Sequence, residues 1–157
     1  MRFKLVKSKR REDKKHMLKS RCILDERKES DGFCISVMSR HTLDDGKTPD
    51  SRITTDKYDL HLTDLAPKPD LVGRWYKGYL GRHTIYNFEN RFAPEYLEYL
   101  EYQLSLIKLI GKLAIKENIT VMCIEPEPQE GEILLCHRRL LVEKCKLLTP
   151  ELSIDVR

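Results

Sequence analysis

The sequence predicts an α/β fold, a three-layer sandwich in which helices flank a mostly parallel central sheet. Two short apolar runs rich in β-branched residues, 33–38 and 119–124, have the composition of strands buried in a sheet. Segments with helical spacing of apolar residues alternate with such strands, and the second half of the chain has no Asn-Gly or Asp-Gly hairpin turn. Alternation without hairpins favours strands that run parallel.

In the first part of the chain, residues 22–24 are predicted to form a short strand that ends at a charged stretch. Asp31-Gly32 supplies a turn, and residues 33–38 form the second strand. Residues 39–57 are polar and contain Gly46 and Pro49, which predicts a long irregular loop. Loops of that length are usually functional or mobile. Apolar and polar residues alternate over residues 58–62, which indicates a third short strand.

Two helices are predicted in the middle of the chain. The first covers about residues 70–79, where Leu71 and Trp75 lie four positions apart after two prolines. The second is the longest and covers about residues 94–118, because Pro94 suits a first helical turn and a continuous apolar stripe follows it. We expect this helix to lie across the sheet as a core element.

The C-terminal part predicts a buried strand followed by a helix. Residues 119–124 form the best strand of the chain and should be central in the sheet. Residues 125–133 contain two prolines, a glycine and four glutamates, which predicts a charged loop. The last helix begins at residue 135 or 136 and ends near Leu147, and residues 152–156 can add an edge strand.

The charge distribution divides the chain into a basic N-terminal arm, residues 1–21, and a single domain, residues 22–157. The arm has ten Lys or Arg against two acidic residues, a net charge of +8, so the total of +4 leaves −4 for the domain. The arm is a solvated tail, or it binds nucleic acid, an acidic partner or an anionic membrane surface. The nucleic-acid interpretation assigns contacts to six cations in the arm: Lys7, Lys9, Arg10, Arg11, Lys14 and Lys15.

The composition also excludes several classes of protein. No run approaches the 18 apolar residues of a membrane span, and the charged N-terminus lacks the apolar core of a signal peptide. Five cysteines without any Cys-x-x-Cys pair are expected to be reduced thiols. We therefore expect a cytoplasmic protein, without membrane insertion and without a local zinc signature.

Two motifs near the end of the chain predict a site. Cys123-Ile124-Glu125 ends the central strand, and Cys136-His137-Arg138 begins the next helix. In open α/β sheets ligands bind at the carboxyl ends of strands, and helix N-termini favour anions. Cys136 beside His137 and Arg138 would have a lowered thiol pKa, as reactive cysteines do.

Each of these residues also has a structural interpretation. Cys123 lies in an apolar strand, where an inert buried thiol is common. His137 could merely cap the helix or pack, and one of the adjacent Arg138 and Arg139, which point different ways, could be only a surface charge. A zinc site built from Cys123, Cys136 and His137 is the minor alternative, and no metal ligand or cofactor is assigned.

The motifs carry a resemblance to a known family. Cys-x-Glu after a strand, Cys-His-Arg opening a helix, and Asp31-Gly32-Phe33 leading into a strand that ends at Arg40 resemble the domain-of-unknown-function family 488. The middle of the chain, Leu65 to Leu71 followed by Arg74 and Trp75 and then Phe88, Arg91 and Phe92, resembles its YeaO-like branch. The resemblance covers about residues 20–147. It implies a compact three-layer α/β fold and a pocket lined by six residues: Arg40, Cys123, Glu125, Cys136, His137 and Arg138.

Two differences from the family pattern weaken the transfer of an activity. The family commonly has an acidic residue just before the arginine that follows its early strand, where this chain has Met38-Ser39. The loop between the two cysteine motifs is also about five residues longer than usual in the family.

Two functional hypotheses follow. In the first, the pocket binds a small anionic ligand, nucleotide-like or phosphorylated, with or without catalysis. Cys136, His137 and Glu125 would be the catalytic residues, and the ligand contacts would come from five others: Arg40, Cys123, Arg138, Trp75 and Arg91. In the second, the protein is a non-enzymatic module that binds nucleic acid or protein through the arm, with an aromatic and arginine-rich segment at residues 74–91 that could stack bases. The sequence leaves the reaction type and the oligomeric state open.

Overall fold

The computed structural model describes residues 15–157. It contains a five-stranded sheet with the order β3-β2-β4-β1-β5, and every pair of neighbouring strands is parallel. The α/β prediction is therefore confirmed. The strands are β1 (Leu18–Cys22), β2 (Phe33–Ser36), β3 (Leu60–His61), β4 (Ile119–Cys123) and β5 (Ile154–Asp155). As predicted, β4 is central and β5 lies at an edge.

The first strand begins earlier than predicted, at Leu18 rather than at Cys22. Leu18, Ser20 and Cys22 alternate on the buried side, whereas Lys19 and Arg21 extend from the other side and bind polar partners. Lys19 donates to the carbonyl of Ser30, and Arg21 pairs with Asp31. Because these two cations interrupt the apolar pattern, composition alone places them in the basic arm rather than in the sheet.

The helices are α1 (Pro69–Tyr76), the single turn α2 (Ile85–Asn87), α3 (Ala93–Leu100), α4 (Leu104–Lys116) and α5 (His137–Leu148). A π-helical segment, Phe88–Phe92, joins α2 to α3, and the sequence pattern did not predict either element. The prediction of one uninterrupted helix over residues 94–118 was wrong, since a 3-10 turn at Glu101–Gln103 divides it. The break lets each half direct its own buried face to the core.

The core has two parts, one on each side of the sheet. The larger contains Ile35 and Val121 from the strands, Val37 just beyond β2, and the buried faces of α1, α3, α4 and α5. The smaller contains Cys34 and Met122, which alternate with those residues along β2 and β4, together with loop residues such as Ile53 and Tyr58. The sheet thus lies between two apolar layers.

The turn before β2 depends on Gly32. Its φ is +65°, a left-handed conformation that glycine adopts without steric penalty. A Cβ at this position would lie 2.0 Å from the carbonyl oxygen of Asn118, and the carbonyl of Asn118 also accepts a hydrogen bond from the amide of Phe33. The close approach sets where β2 begins beside β4.

Among residues 15–157, no helix combines the length and apolar character needed to cross a membrane.

Candidate active site

A cavity of about 560 Å³ opens at the carboxyl edge of the sheet. This volume falls within the roughly 300–1,000 Å³ of small-molecule pockets. Its walls come from the loop after β2, the face of α1, the π-helical segment, the end of β4 and the start of α5. The residues used below are Arg40, Asp50, Arg52, Trp75, Tyr76, Phe88, Phe92, Cys123, Glu125, Cys136 and His137.

Two thiols and an imidazole form the floor of the cavity. Cys123 is the last residue of β4 and Cys136 is the N-cap of α5, so the carboxyl end of the strand faces the N-terminus of the helix. Nδ1 of His137 lies 3.8 Å from Sγ of Cys123 and 3.7 Å from Sγ of Cys136. All three side chains are buried. The fold therefore brings together, through a 12-residue loop, groups that are separated in sequence.

A hydrogen bond from the ring nitrogen that points away from the two sulfurs fixes the orientation of His137. Its Nε2 donates a hydrogen bond of 2.7 Å to the carbonyl oxygen of Val37, just beyond β2. A carbonyl can only accept, so Nε2 carries a proton and Nδ1 is the nitrogen that faces the two sulfurs. The Tyr96 ring packs edge-on against the imidazole at 5.5 Å and limits its rotation.

The two thiols differ in acidity. The interaction with Cys136 and then burial raise the pKa of Cys123 well above its ordinary value. Burial alone would also raise the pKa of Cys136, but the interactions with Cys123 and His137 and the charge of Arg138 outweigh it and hold this pKa well below the ordinary range. Cys136 is therefore the more acidic thiol of the pair.

Glu125 and Tyr76 form a polar pair on the cavity wall. The Tyr76 hydroxyl donates to Oε1 of Glu125. Burial raises the pKa of Glu125, an effect that the hydrogen bond from Tyr76 only partly offsets. A carboxyl group on the wall of a pocket is a candidate for proton transfer with a bound ligand.

Arg138 holds the backbone around the site together. Its side chain is fully buried, and Nη1 donates to the carbonyl of Glu125 at 2.6 Å. Nε and Nη2 donate to the carbonyl of Arg157 at 3.0 and 2.8 Å. The guanidinium therefore ties the end of β4 to the C-terminal segment and does not line the cavity.

One wall of the cavity is aromatic. Trp75 stacks on His83 with ring centres 4.3 Å apart and meets Phe88 edge-on at 5.6 Å. Phe88 stacks in turn on Phe92 at 5.0 Å. The rings of Trp75, Phe88 and Phe92 are almost fully buried, and they give the cavity a rigid apolar wall.

The opposite rim is polar and carries both signs of charge. Arg52 is held by Asp50 at 2.7 Å. Arg40 is exposed and donates to the carbonyl of Gly46 at 3.1 Å, so its charge is not neutralised by a carboxylate in that contact. Lys77 is a further exposed cation of the lining, and Asp44 and Asp45 lie on the same rim as Arg40.

Beside the cavity, two stacked histidines fasten the base of the loop after β2. The ring centres of His41 and His61 lie 3.9 Å apart. Nε2 of His41 is hydrogen-bonded to the Ser36 hydroxyl at 2.7 Å. Nε2 of His61 donates to the carbonyl of Met38 at 2.7 Å. Burial, with a contribution from His61, lowers the pKa of His41 to about 4.

Comparison with known proteins was made by family, by sequence and by structure. A family model described as the active DUF488-N3 subclade matches residues 18–147, most of the chain. The chain belongs to the DUF488 family. No curated protein and no solved structure matched it.

The DUF488 resemblance implied a pocket of six residues, and the structure places five of them on the cavity: Arg40, Cys123, Glu125, Cys136 and His137. The sixth, Arg138, is buried behind it. Of the two further ligand contacts predicted, Trp75 lines the cavity, whereas Arg91 is exposed elsewhere and donates to the carbonyl of Leu80.

The structure describes only some of the residues predicted to contact nucleic acid. Lys15 is exposed, and Lys7, Lys9, Arg10, Arg11 and Lys14 lie outside the described residues. In the aromatic segment, Trp75 and Phe88 are buried in the core and Tyr76 binds Glu125, while Tyr79 and Tyr86 are 74% and 68% exposed.

Sequence reasoning did not identify Tyr76 as the partner of Glu125, or Asp50 and Arg52 as part of the rim. The polar loop after β2 was a signal that this region is functional. It could not indicate which of the loop side chains face the cavity, because such a loop has no periodicity.

Proposed function

We propose that this DUF488 domain is a cysteine-dependent enzyme that acts on a small nucleotide-like or phosphorylated ligand held in the cavity. The observation that carries the proposal is Sγ of Cys136 on the cavity floor, 3.7 Å from Nδ1 of His137. A thiol next to an oriented imidazole is the basic unit of cysteine nucleophiles.

The residues have separate roles in this proposal. His137 takes the thiol proton, and the neighbouring Cys123 helps to keep the pKa of Cys136 low. The thiolate attacks an electrophilic centre of the ligand, and a bond from Sγ to that centre forms as the bond to the leaving group breaks. Glu125 gives its proton to the leaving group and then takes a proton from the water or second substrate that displaces Sγ, which releases the product and restores the thiolate.

The ligand class follows from the two sides of the cavity. The aromatic wall of Trp75, Phe88 and Phe92 suits a planar ring such as a nucleobase. Arg40 on the rim suits a phosphate or carboxylate at the other end of the molecule. A nucleoside monophosphate combines both features.

The test is native mass spectrometry of the gently purified protein, together with titration of the metal-free protein with AMP, GMP, CMP and UMP. We expect a retained mass, or saturable binding of at least one nucleotide, that Arg40→Ala weakens at least about tenfold. Arg91→Ala, an exposed arginine away from the cavity, is the matched control and should bind as the wild type does. If no mass is retained and none of the four nucleotides binds, or if both variants bind equally well, the proposed ligand class is wrong.

Catalysis is tested separately with Cys136→Ala. If a ligand binds, this variant should retain binding and lose turnover or covalent adduct formation. Turnover that continues in Cys136→Ala would exclude the proposed nucleophile.

A further inference from the structure

We propose that Cys123, Cys136 and His137 also form a binding site for a thiophilic divalent cation, with Zn²⁺ as the best fit and one coordination position open to the cavity. The proposal goes beyond the enzymatic one. Metal binding is argued from geometry alone. Its consequence, that the metal would withdraw Cys136 from nucleophilic attack, rests on the proposed function.

The two sulfur–nitrogen distances are close to those of a tetrahedral zinc site. Zn–S bonds of about 2.3 Å and Zn–N bonds of about 2.05 Å at the tetrahedral angle place sulfur and nitrogen about 3.6 Å apart and two sulfurs about 3.8 Å apart. The two sulfur–nitrogen distances are 3.8 and 3.7 Å, and the three ligand atoms all lie within 4.8 Å of one another. The sulfur–nitrogen pairs need to close by only about 0.1–0.2 Å, and the two sulfurs by up to about 1 Å, to reach those bond lengths.

The histidine has the second hydrogen bond that metal ligands usually have. Nε2 of His137 donates to the carbonyl of Val37, which leaves Nδ1 as the coordinating nitrogen and directs it to both sulfurs. In metal sites such a bond fixes the tautomer and ring orientation and makes the ligand nitrogen more basic.

The donor set determines which ions fit. Two thiolates and an imidazole select Zn²⁺, Co²⁺ or Cd²⁺ over Mg²⁺ and Ca²⁺, which prefer oxygen. Three protein ligands leave the fourth position to water or a ligand, as in catalytic rather than structural zinc sites. Since all three residues line the cavity, that position faces it, on the side where Glu125 also lies.

A bound cation would compete with an electrophile for the same sulfur. The metal-bound form would hold Cys136 as a ligand, and removal of the metal would release the thiolate. Zn²⁺ therefore becomes a reversible inhibitor of the thiol chemistry.

The experiment is titration of the full-length, reduced protein with Co²⁺, followed by displacement with Zn²⁺. We expect one Co²⁺ per chain, thiolate-to-cobalt charge-transfer absorption, the visible bands of tetrahedral cobalt, and no competition from millimolar Mg²⁺. Cys123→Ser and Cys136→Ser should each weaken Co²⁺ binding at least about 100-fold. Cys145→Ser and Cys34→Ser, which alter buried thiols outside the cluster, are the matched controls and should leave binding unchanged.

A second measurement does not depend on the variants folding. X-ray absorption of the Zn²⁺-loaded wild type should show two sulfur ligands at about 2.3 Å and at least one imidazole nitrogen. Absence of charge-transfer absorption at one equivalent, or a first shell of oxygen and nitrogen only, would overturn the proposal. So would full binding by a folded Cys123→Ser or Cys136→Ser variant.

The outcomes separate this inference from the proposed function. If Co²⁺ does not bind but Cys136 of the metal-free protein is a nucleophile, the metal site alone is wrong. If Co²⁺ binds at the three residues but the metal-free thiol is inert, the enzymatic proposal alone is wrong.

Discussion

Replacing Arg138 with methionine should destabilise the domain by about 3 kcal/mol. The main-chain oxygen of Glu125 loses its donor at 2.6 Å, and that of Arg157 loses two. These oxygens are partly buried, and each costs up to about 1–3 kcal/mol when left without a partner, part of which is offset because the guanidinium no longer has to be desolvated. The Arg157 carbonyl keeps a hydrogen bond from Ser20, so most of the loss comes from Glu125.

The assay is reversible unfolding in urea together with the Tm. For a domain of this size, about 3 kcal/mol lowers the Tm by about 6–12 °C. Arg74→Met is the matched control, because Arg74 pairs with the exposed Asp70 and Glu95 and should change the Tm far less. A loss below about 1 kcal/mol in Arg138→Met would refute the view that this arginine is a structural centre of the site.

Three further predictions concern the glycine turn, the histidine stack and the arm. Gly32→Ala places a Cβ 2.0 Å from a carbonyl at a φ of +65° and should cost more than about 3 kcal/mol or prevent folding, whereas Gly73→Ala in open space should change stability by less than about 1 kcal/mol. The pKa of His41 is about 6.5 in the unfolded chain and about 4 in the folded protein. Because the unfolded chain therefore binds a proton first, the free energy of unfolding should fall by up to about 2 kcal/mol as the pH drops from about 6.5 to about 4. Urea unfolding of His41→Gln should show a weaker dependence of this free energy on pH. Deletion of residues 1–14, which stops before β1, should remove salt-sensitive binding to a single-stranded DNA oligonucleotide; binding that survives deletion would direct attention to the exposed Tyr79 and Tyr86.

The sheet could be predicted because short β-branched runs have few alternatives. Residues 33–38 and 119–124 are apolar and bounded by turns, and they form neighbouring strands in the structure. The first strand was predicted to begin too late in the chain, because Lys19 and Arg21 interrupt its apolar pattern. Their polar ends bind the carbonyl of Ser30 and the carboxylate of Asp31. The sequence thus locates a strand well when both of its faces are buried, and less well when one face carries polar side chains.

The long helical stripe concealed a break. Leucines at helical spacing continue through residues 94–118, and no proline or glycine marks the 3-10 turn at Glu101–Gln103. The turn follows from packing, because Tyr96 and Leu100 on one half and Ile107 and Ile110 on the other are all buried. Tertiary contacts of this kind are not encoded in the spacing of a single segment.

At the site, topology was more informative than residue type. The end of a central strand and the start of the next helix must meet at the carboxyl edge of a parallel sheet, which is why Cys123 and Cys136 could be associated. The hydrogen bonds of the Arg138 guanidinium could not be predicted from the sequence. Its acceptors are main-chain oxygens of Glu125 and Arg157, which every residue type has. An arginine next to a reactive-looking motif is therefore weak evidence for anion binding.

The proposal that Cys136 is a nucleophile is tested most directly by the pH dependence of its reaction with iodoacetamide in metal-free protein, followed by peptide mass spectrometry. We expect the Cys136 rate to titrate well below the value of about 8.5 for a free cysteine, and Cys123→Ala to shift the titration upward. Cys145→Ala should leave the profile unchanged, because burial raises the pKa of the Cys145 thiol to about 12 away from the cavity. A Cys136 that titrates at or above about 8.5, or that reacts no faster than Cys145 at neutral pH, would contradict the proposal.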